Sequence, residues 1–317
     1  MNAPTFDANS LASLAERTAY EGWLLEEAYR IDDNLVVSPE RDHVIFAPDL
    51  QLVKHFGYMA ANFKLGDWRP GFLEACAPLV FGTAFKLLDM TLEWVLIENG
   101  RKATFRFEEK IKAVKDPALV FPPLLASRMW LRERLVALYE QLDPLRGTVI
   151  HDREFESVAG GLSVSSSRKG VVGPRVTITA EDLRNLADLF TRVRRYLLGD
   201  WQVDAFREKR MRFACDQLAG LHGIVSLGQQ SPVFSPVRLY HVEAEPLVVD
   251  LDALRDAVRA RHANQDAVFD LCLVTLHEGA MVDAMRLLWP QLQGATLTIT
   301  GAERGALRVL VPADYER

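Results

Sequence analysis

The chain has 317 residues, 49% of them hydrophobic and 25% charged, and a formal charge of -6. That length exceeds one average domain of about 100 to 200 residues, so two domains are expected, and no apolar run approaches the roughly 18 to 20 residues that span a bilayer. The acidic balance, with a pI of about 5.7, argues against a general nucleic-acid binder and leaves only a local basic patch for such contact.

The opening stretch MNAPTFDANSLASLAERTAYEG has neither a basic leader nor an apolar signal core, and Asp7, Glu16 and Glu21 oppose a transit peptide, so export is not expected. Cys76, Cys215 and Cys272 are few, odd in number and widely spaced, which suggests neither a disulfide framework nor a zinc site and suits a reducing cytoplasm. No cofactor and no metal are expected. Leu11, Leu14, Leu24, Leu25 and Ala28 predict an amphipathic helix capped near Ser10 and ending before Asp32-Asp33-Asn34. Residues 49 to 75 read as two short helices. Phe81, Phe85, Leu88, Leu92 and Val95 form an apolar seam on a helix that stops at Asn99-Gly100.

A short helix is expected over 107 to 114 and a connector over 117 to 123. Met129, Leu131, Leu135, Leu138 and Leu142 predict a further helix, broken at Asp143-Pro144 because proline disfavours a helical residue before it. Alternating Leu162/Val164 and Val176/Ile178 around a Gly-rich loop predict a two-stranded hairpin. Thr179 with acids in the following turn opens a helix over about 181 to 198, and a last helix is expected over 204 to 221. The pattern changes around Gly228 to Pro236, the expected domain boundary. Beyond it VRLYHVE, PLVVDL, FDLCLVTL, ATLTIT and ALRVLV read as strands, with helices over 251 to 261 and 280 to 292. The expectation is an α+β chain: a mainly helical domain over 1 to 228 with a β-hairpin insertion, then a small α/β accessory domain over 229 to 317.

Three segments carry a family resemblance. FKLLDMTLEWVLIENGRKATFRFEEKIKAV (85 to 114), LYEQLDPLRGTVIHDREF (138 to 155) and ITAEDLRNLADLFTRVRRYLL (178 to 198) together resemble, in order and context, the HEPN superfamily (higher eukaryotes and prokaryotes nucleotide-binding). These are small helical bundles of toxins and antiviral systems. The middle segment is similar to the family's motif of an arginine, four to six residues, and a histidine. The resemblance implies a homodimer that cuts RNA without metal in a defence or toxin–antitoxin setting, with an antitoxin or other defence protein as partner. It also implies that Arg146 and His151 are the catalytic pair. Histidine titrates near neutrality and suits proton transfer at a ribose 2′-hydroxyl, while the forked guanidinium suits a phosphorane.

Gly147 departs from the Asn, Asp or His that commonly follows the arginine in active members. On an ideal α-helix five residues turn by about 140°, so Arg146 and His151 share a face only across a distorted turn or a second subunit. The alternative role is a non-catalytic dimeric scaffold or sensor that binds a protein or small ligand. His151 then pairs with Asp152, and Arg146 with Asp143 or Glu154.

Two further groups stand out. Asp89 and Glu93, four apart, either point into one cleft or are solvated. Arg192, Arg194, Arg195, Arg207, Lys209, Arg210 and Arg212, with Tyr196 and Trp201 interleaved, form either an RNA-binding patch or a solvated helix face. Arg168 and Lys169 extend that patch or blunt a strand edge. His277-Glu278 lacks the second histidine of a zinc-protease helix, and no phosphate-binding glycine loop or nucleophile elbow is present.

Overall fold

A computed structural model describes residues 4–35, 43–56, 72–102, 104, 106–152, 155–168, 171–242, 244–262, 267–278 and 280–301. The chain is mixed α and β and forms two compact units, Met1–Asp32 with Ala61–Gln229, and Asp33–Ala60 with Gln230–Arg317.

In the first unit α1 (Ala8–Arg17) begins where the Asp7 carboxylate accepts from the Asn9 and Ser10 amides, so the cap lies at Asp7 and not near Ser10. Thr18 separates it from α2 (Ala19–Leu35), which continues through Asp32-Asp33-Asn34. The single expected helix is thus two. The central helix α3 (Phe72–Glu98) buries Phe81, Phe85, Leu88, Leu92 and Val95, and stops at Gly100, whose φ of +69° suits glycine. The buried Trp94 indole donates to Ser10 Oγ at 3.0 Å and fastens α1 to α3.

Next come α4 (Phe107–Val114) and α5 (Pro123–Ala126). Helix α6 (Met129–Gly147) runs through Pro144 instead of ending before it. Proline removes one helical hydrogen bond, but Leu142 and Leu145 on either side are both buried and hold the helix on its neighbours. A π-helical turn, Thr148–Asp152, follows directly.

The expected hairpin is a three-stranded antiparallel sheet in the order β3 (Phe155–Val158), β4 (Gly161–Arg168), β5 (Val171–Ile178). Ala159 and Gly160, at φ of 48° and 79°, make the two-residue turn between β3 and β4, a conformation that only the glycine of the pair announces. A reciprocal capping box between Thr179 and Asp182 opens α7 (Ala180–Leu198), and Gly199 closes it. The last expected helix is two, α8 (Ala205–Gln217) and α9 (Ala219–His222).

In the second unit a five-stranded sheet has the order β2 (Leu52–Phe56), β1 (His43–Phe46), β6 (Val233–Val242), β8 (Ala267–His277), β9 (Ala280–Leu287). Residues 43–46 and 52–56 are therefore strands of this unit, whereas 49 to 75 were expected as two short helices of the first domain. The reason is long-range. Strand β1 lies parallel to β6, Val44 opposite Val237, a pairing nearly two hundred residues apart. Residues 57–71 lie outside the described set.

Residues 280 to 287, expected as helix, form β9 antiparallel to β8: Met285 and Leu287 face the core opposite Leu273 and Leu271, and Arg286 reaches across to Asp270 at 2.6 Å. Helix α10 (Leu251–Arg261) buries Leu251, Leu254 and Val258, and a two-stranded ladder joins β7 (Leu247–Asp250) to β10 (Thr296–Ile299). The expected strand over 306 to 311 lies outside the described residues. Among the described residues no helix is long and apolar enough to cross a membrane.

Candidate functional site

Helix α4 lies against α3 and α6 and inserts two side chains between them. Phe107 and Lys110 sit three apart on its inner face, with Val114 completing the stripe. Lys110 is almost fully buried, and its Nζ lies 2.9 Å from Asp89 Oδ1 and 2.6 Å from Glu93 Oε2. Asp89 and Glu93 therefore converge on one cation instead of standing in solvent. Tyr139 of α6 donates its phenol proton to Asp89 Oδ1, and Arg17 of α1 donates to Glu93 Oε1 at 2.7 Å. Five ionisable groups from four helices thus form one network.

Burial acts to raise the pKa of Glu93, but its hydrogen bonds and charge contacts with Lys110 and Arg17 prevail and hold the carboxyl below its ordinary range. Burial, followed by the hydrogen bond to Asp89 and the charge of that carboxylate, pushes the Tyr139 phenol far above its ordinary value. Tyr139 is a permanent donor at neutral pH.

The aromatic floor extends from this network to the expected catalytic motif. Phe85 stacks on Tyr139 with centroids 5.4 Å apart, and Phe107 tilts against both rings. The Arg146 guanidinium carbon lies 5.0 Å from the Phe107 centroid, and Lys110 Nζ lies 5.2 Å from the same centroid. Arg146, in the last turn of α6, is thus positioned by an aromatic face that also borders the buried lysine.

His151 lies within the π turn; its side chain is outside the described set, as are Arg153 and Glu154. What is described is the winding. In i→i+5 winding residues five apart approach the same side of the axis. The turn following Arg146 therefore narrows the angular gap that an α-helix leaves between positions 146 and 151. Several features favour that winding. Pro144 cannot donate, Gly147 is a weak helix former with open space around its Cα, and Thr148, Val149 and Ile150 are β-branched. Thr148 and Val149 are buried, and Ile150 lies over Gly82 of α3, where an added Cβ would be 3.2 Å from Ile150 Cδ1.

The arginine-rich stretch is placed differently from an exposed RNA-binding patch. Arg192 is buried and donates to Asp188 Oδ1 at 2.7 Å. Arg194 is buried with its Nε donating to Thr18 Oγ1. Arg195 grips Glu26 through two hydrogen bonds of 2.7 Å and also reaches Asp200. Arg207 is buried and donates to Asp204 and to the Gln202 carbonyl, while Arg210 lies 3.7 Å from Asp188.

Arg212 pairs with Glu208 and stacks on Trp130. Trp201 is flanked by Arg192 and Arg195, and Tyr196 is buried. Lys209 is exposed. Arg192, Arg207 and Arg212 pair with acids three or four residues away, whereas Arg195 and Arg210 reach Glu26 and Asp188 on other helices, pairings that the spacing of charges along the sequence does not reveal. The side chains of Arg168 and Lys169 are outside the described set.

Sequence reading missed Lys110, Phe107 and Tyr139 as members of a site. A signal existed: a lysine at the i+3 position of an apolar stripe in FEEKIKAV faces inward and needs an acidic partner. Among the described residues no group of three or more His, Cys, Asp or Glu is placed to hold a metal ion. Comparison with family models, with curated proteins and with solved structures gives no match for this chain.

Proposed function

We propose that the helical unit is a HEPN-like domain that cleaves RNA without a metal ion, with Arg146 and His151 as the reacting pair. The observation that carries this reading is the π winding of Thr148–Asp152 immediately after Arg146, which reduces the angular separation of the two positions. In the proposed reaction His151 takes the proton of a ribose 2′-hydroxyl, the oxygen attacks the adjacent phosphorus, and Arg146 stabilises the charge that develops on the phosphorane oxygens. The P–O5′ bond breaks as the leaving oxygen takes the proton that His151 has gained, and the products are a 2′,3′-cyclic phosphate and a free 5′-hydroxyl. Phe107 holds the guanidinium of Arg146 by its face. A homodimer, in which two copies of the motif face one substrate, belongs to the proposal, as does a defence or toxin–antitoxin setting with a partner protein.

The internal ion pairing of Arg192, Arg195 and Arg207 and the burial of Arg194 count against RNA contact along the arginine run, so RNA contact is proposed at the π turn. The same pairing favours a second reading, a non-catalytic dimeric scaffold or sensor. Incubation of purified protein with total RNA in EDTA, beside Arg146→Ala and His151→Ala, separates the two. Fragments from wild type alone support cleavage, and RNA left intact by all three proteins supports the scaffold.

A further inference from the structure

Arg194 is nine-tenths buried, yet among the described residues no carboxylate forms an ion pair with it. Its Nε donates to Thr18 Oγ1 at 2.9 Å. The adjacent Arg195 already holds both nearby acids, Glu26 by two hydrogen bonds and Asp200 by one. A cation withdrawn from water whose nearby acids are already held by a neighbouring arginine is only partly compensated, and one held so in a fixed place suits a further anionic partner. The fold keeps it there deliberately at Gly22 of α2, where a Cβ would fall 2.8 Å from Arg194 Nε. Burial pulls the pKa of Arg194 below its ordinary value, with Glu26 countering only in part, but an arginine remains charged at neutral pH.

The same arginine lines a cavity of about 590 Å³, open to the surface, between α1, α2 and α7, and its volume is within the range of small-molecule sites. Its floor is Leu11, Ala12, Ala15 and Leu198, where small side chains leave the space open, and Trp23 forms a wall. Trp23 is 55% exposed, an indole face beside the apolar floor. Glu26 and Asp200 at the edge repel a doubly charged group more than a singly charged one. We infer that this cavity binds a small organic carboxylate with a ring-sized apolar body, the carboxylate pairing with Arg194 and the body lying on the alanine floor against Trp23. The assignment is independent of RNA cleavage, since none of its residues belongs to the π turn or to the Lys110 network.

Isothermal titration of the full chain with phenylacetate tests it, with benzyl alcohol (no charge), acetate (no apolar body) and inorganic phosphate as comparison probes. Phenylacetate is expected to bind at one site, and each comparison probe at least about tenfold more weakly. Ala15→Leu, which fills the floor and keeps Arg194, and Trp23→Ala, at an exposed position, are each expected to weaken phenylacetate by about tenfold or more. Arg194→Gln is expected to abolish the preference for acid over alcohol. Absence of saturable phenylacetate binding to wild type, unchanged affinity in Ala15→Leu, or equal binding of acid and alcohol by wild type would each overturn the inference. Because Ala15→Leu retains the arginine, the test stands even where Arg194→Gln does not fold.

Discussion

Lys110 on α4 bridges Asp89 and Glu93, one helical turn apart on α3, with its Nζ 2.6 Å from Glu93 Oε2 and 2.9 Å from Asp89 Oδ1. Removing the cation leaves two partly buried carboxylates facing each other, so Lys110→Met is predicted to destabilise the helical unit by about 3 to 5 kcal/mol in urea unfolding. Neutralising all three positions together, Asp89→Asn, Glu93→Gln and Lys110→Met, is predicted to cost much less than that single change, because the charge that then loses its partner, Arg17, is one-third exposed and can be solvated. A triple variant at least as unstable as Lys110→Met would show that the network stabilises by packing alone.

Under the proposed function, a change at Gly147 is predicted to separate stability from activity. Nothing lies within 4 Å of a Cβ built there, so Gly147→Ala is sterically free and raises helix propensity by about 1 kcal/mol. It favours continued α winding over the π turn. The predicted outcome is a protein of equal or higher unfolding midpoint that cuts RNA more slowly. Gly82→Val, which presses on Ile150 from the other side, is predicted to slow cleavage as well and to lower stability. A Gly147→Ala protein with faster cleavage would contradict the role given to the winding.

Phe107 connects the buried network to Arg146 through one ring. Phe107→Leu retains an apolar side chain but removes the cation-binding face, worth about 0.5 to 2 kcal/mol at such sites. Cleavage is predicted to fall by a factor of a few up to about thirtyfold through the rate and not through RNA affinity, measurable by single-turnover kinetics across RNA concentrations. A change in affinity alone would place Phe107 in binding instead.

His222 gives the helical unit an acid-sensitive point. It is buried, its Nε2 lies 2.8 Å from the Cys215 carbonyl, and its Nδ1 accepts from the Ile224 amide at 3.0 Å, an arrangement that requires the neutral ring. Burial lowers its pKa from the ordinary 6.5. The unfolded chain therefore binds the proton first as pH falls. The stabilisation is complete above the ordinary value and is lost progressively as pH drops from there through the lower folded value. Urea midpoints measured between about pH 7.5 and 5 are predicted to fall in wild type and to flatten in His222→Gln. Parallel slopes would assign the acid sensitivity to other groups.

Local signals carried much of the helical unit. The apolar seam from Phe81 to Val95, the Asn99-Gly100 stop and the Thr179 capping box all depend on neighbours within a few residues, and each appears in the structure. What escaped was set by distant partners. Strand β1 finds its distant partner in β6 and carries β2 on its other edge, and the alternation of Met285 and Leu287 is read correctly only against β8. At the candidate site the spacing of Arg146 and His151 is visible in the sequence but the π winding between them is not, and Asp89 with Glu93 was legible as a pair. Lys110, which unites that pair, sits on a different helix, and its role depends on how α4 packs. The arginines of α7 and α8 show the converse: a dense run of charge in sequence becomes a set of internal salt bridges once α2 supplies Glu26 and α7 supplies Asp188.

The most direct test of the account is the cleavage of a defined oligoribonucleotide in EDTA by wild type, beside the same oligonucleotide carrying 2′-deoxy sugars at the cut positions. The account predicts fragments ending in 2′,3′-cyclic phosphate from the ribose substrate, none from the deoxy substrate, and none from either with Arg146→Ala or His151→Ala. Cleavage of the deoxy substrate, or equal cleavage by wild type and His151→Ala, would contradict it.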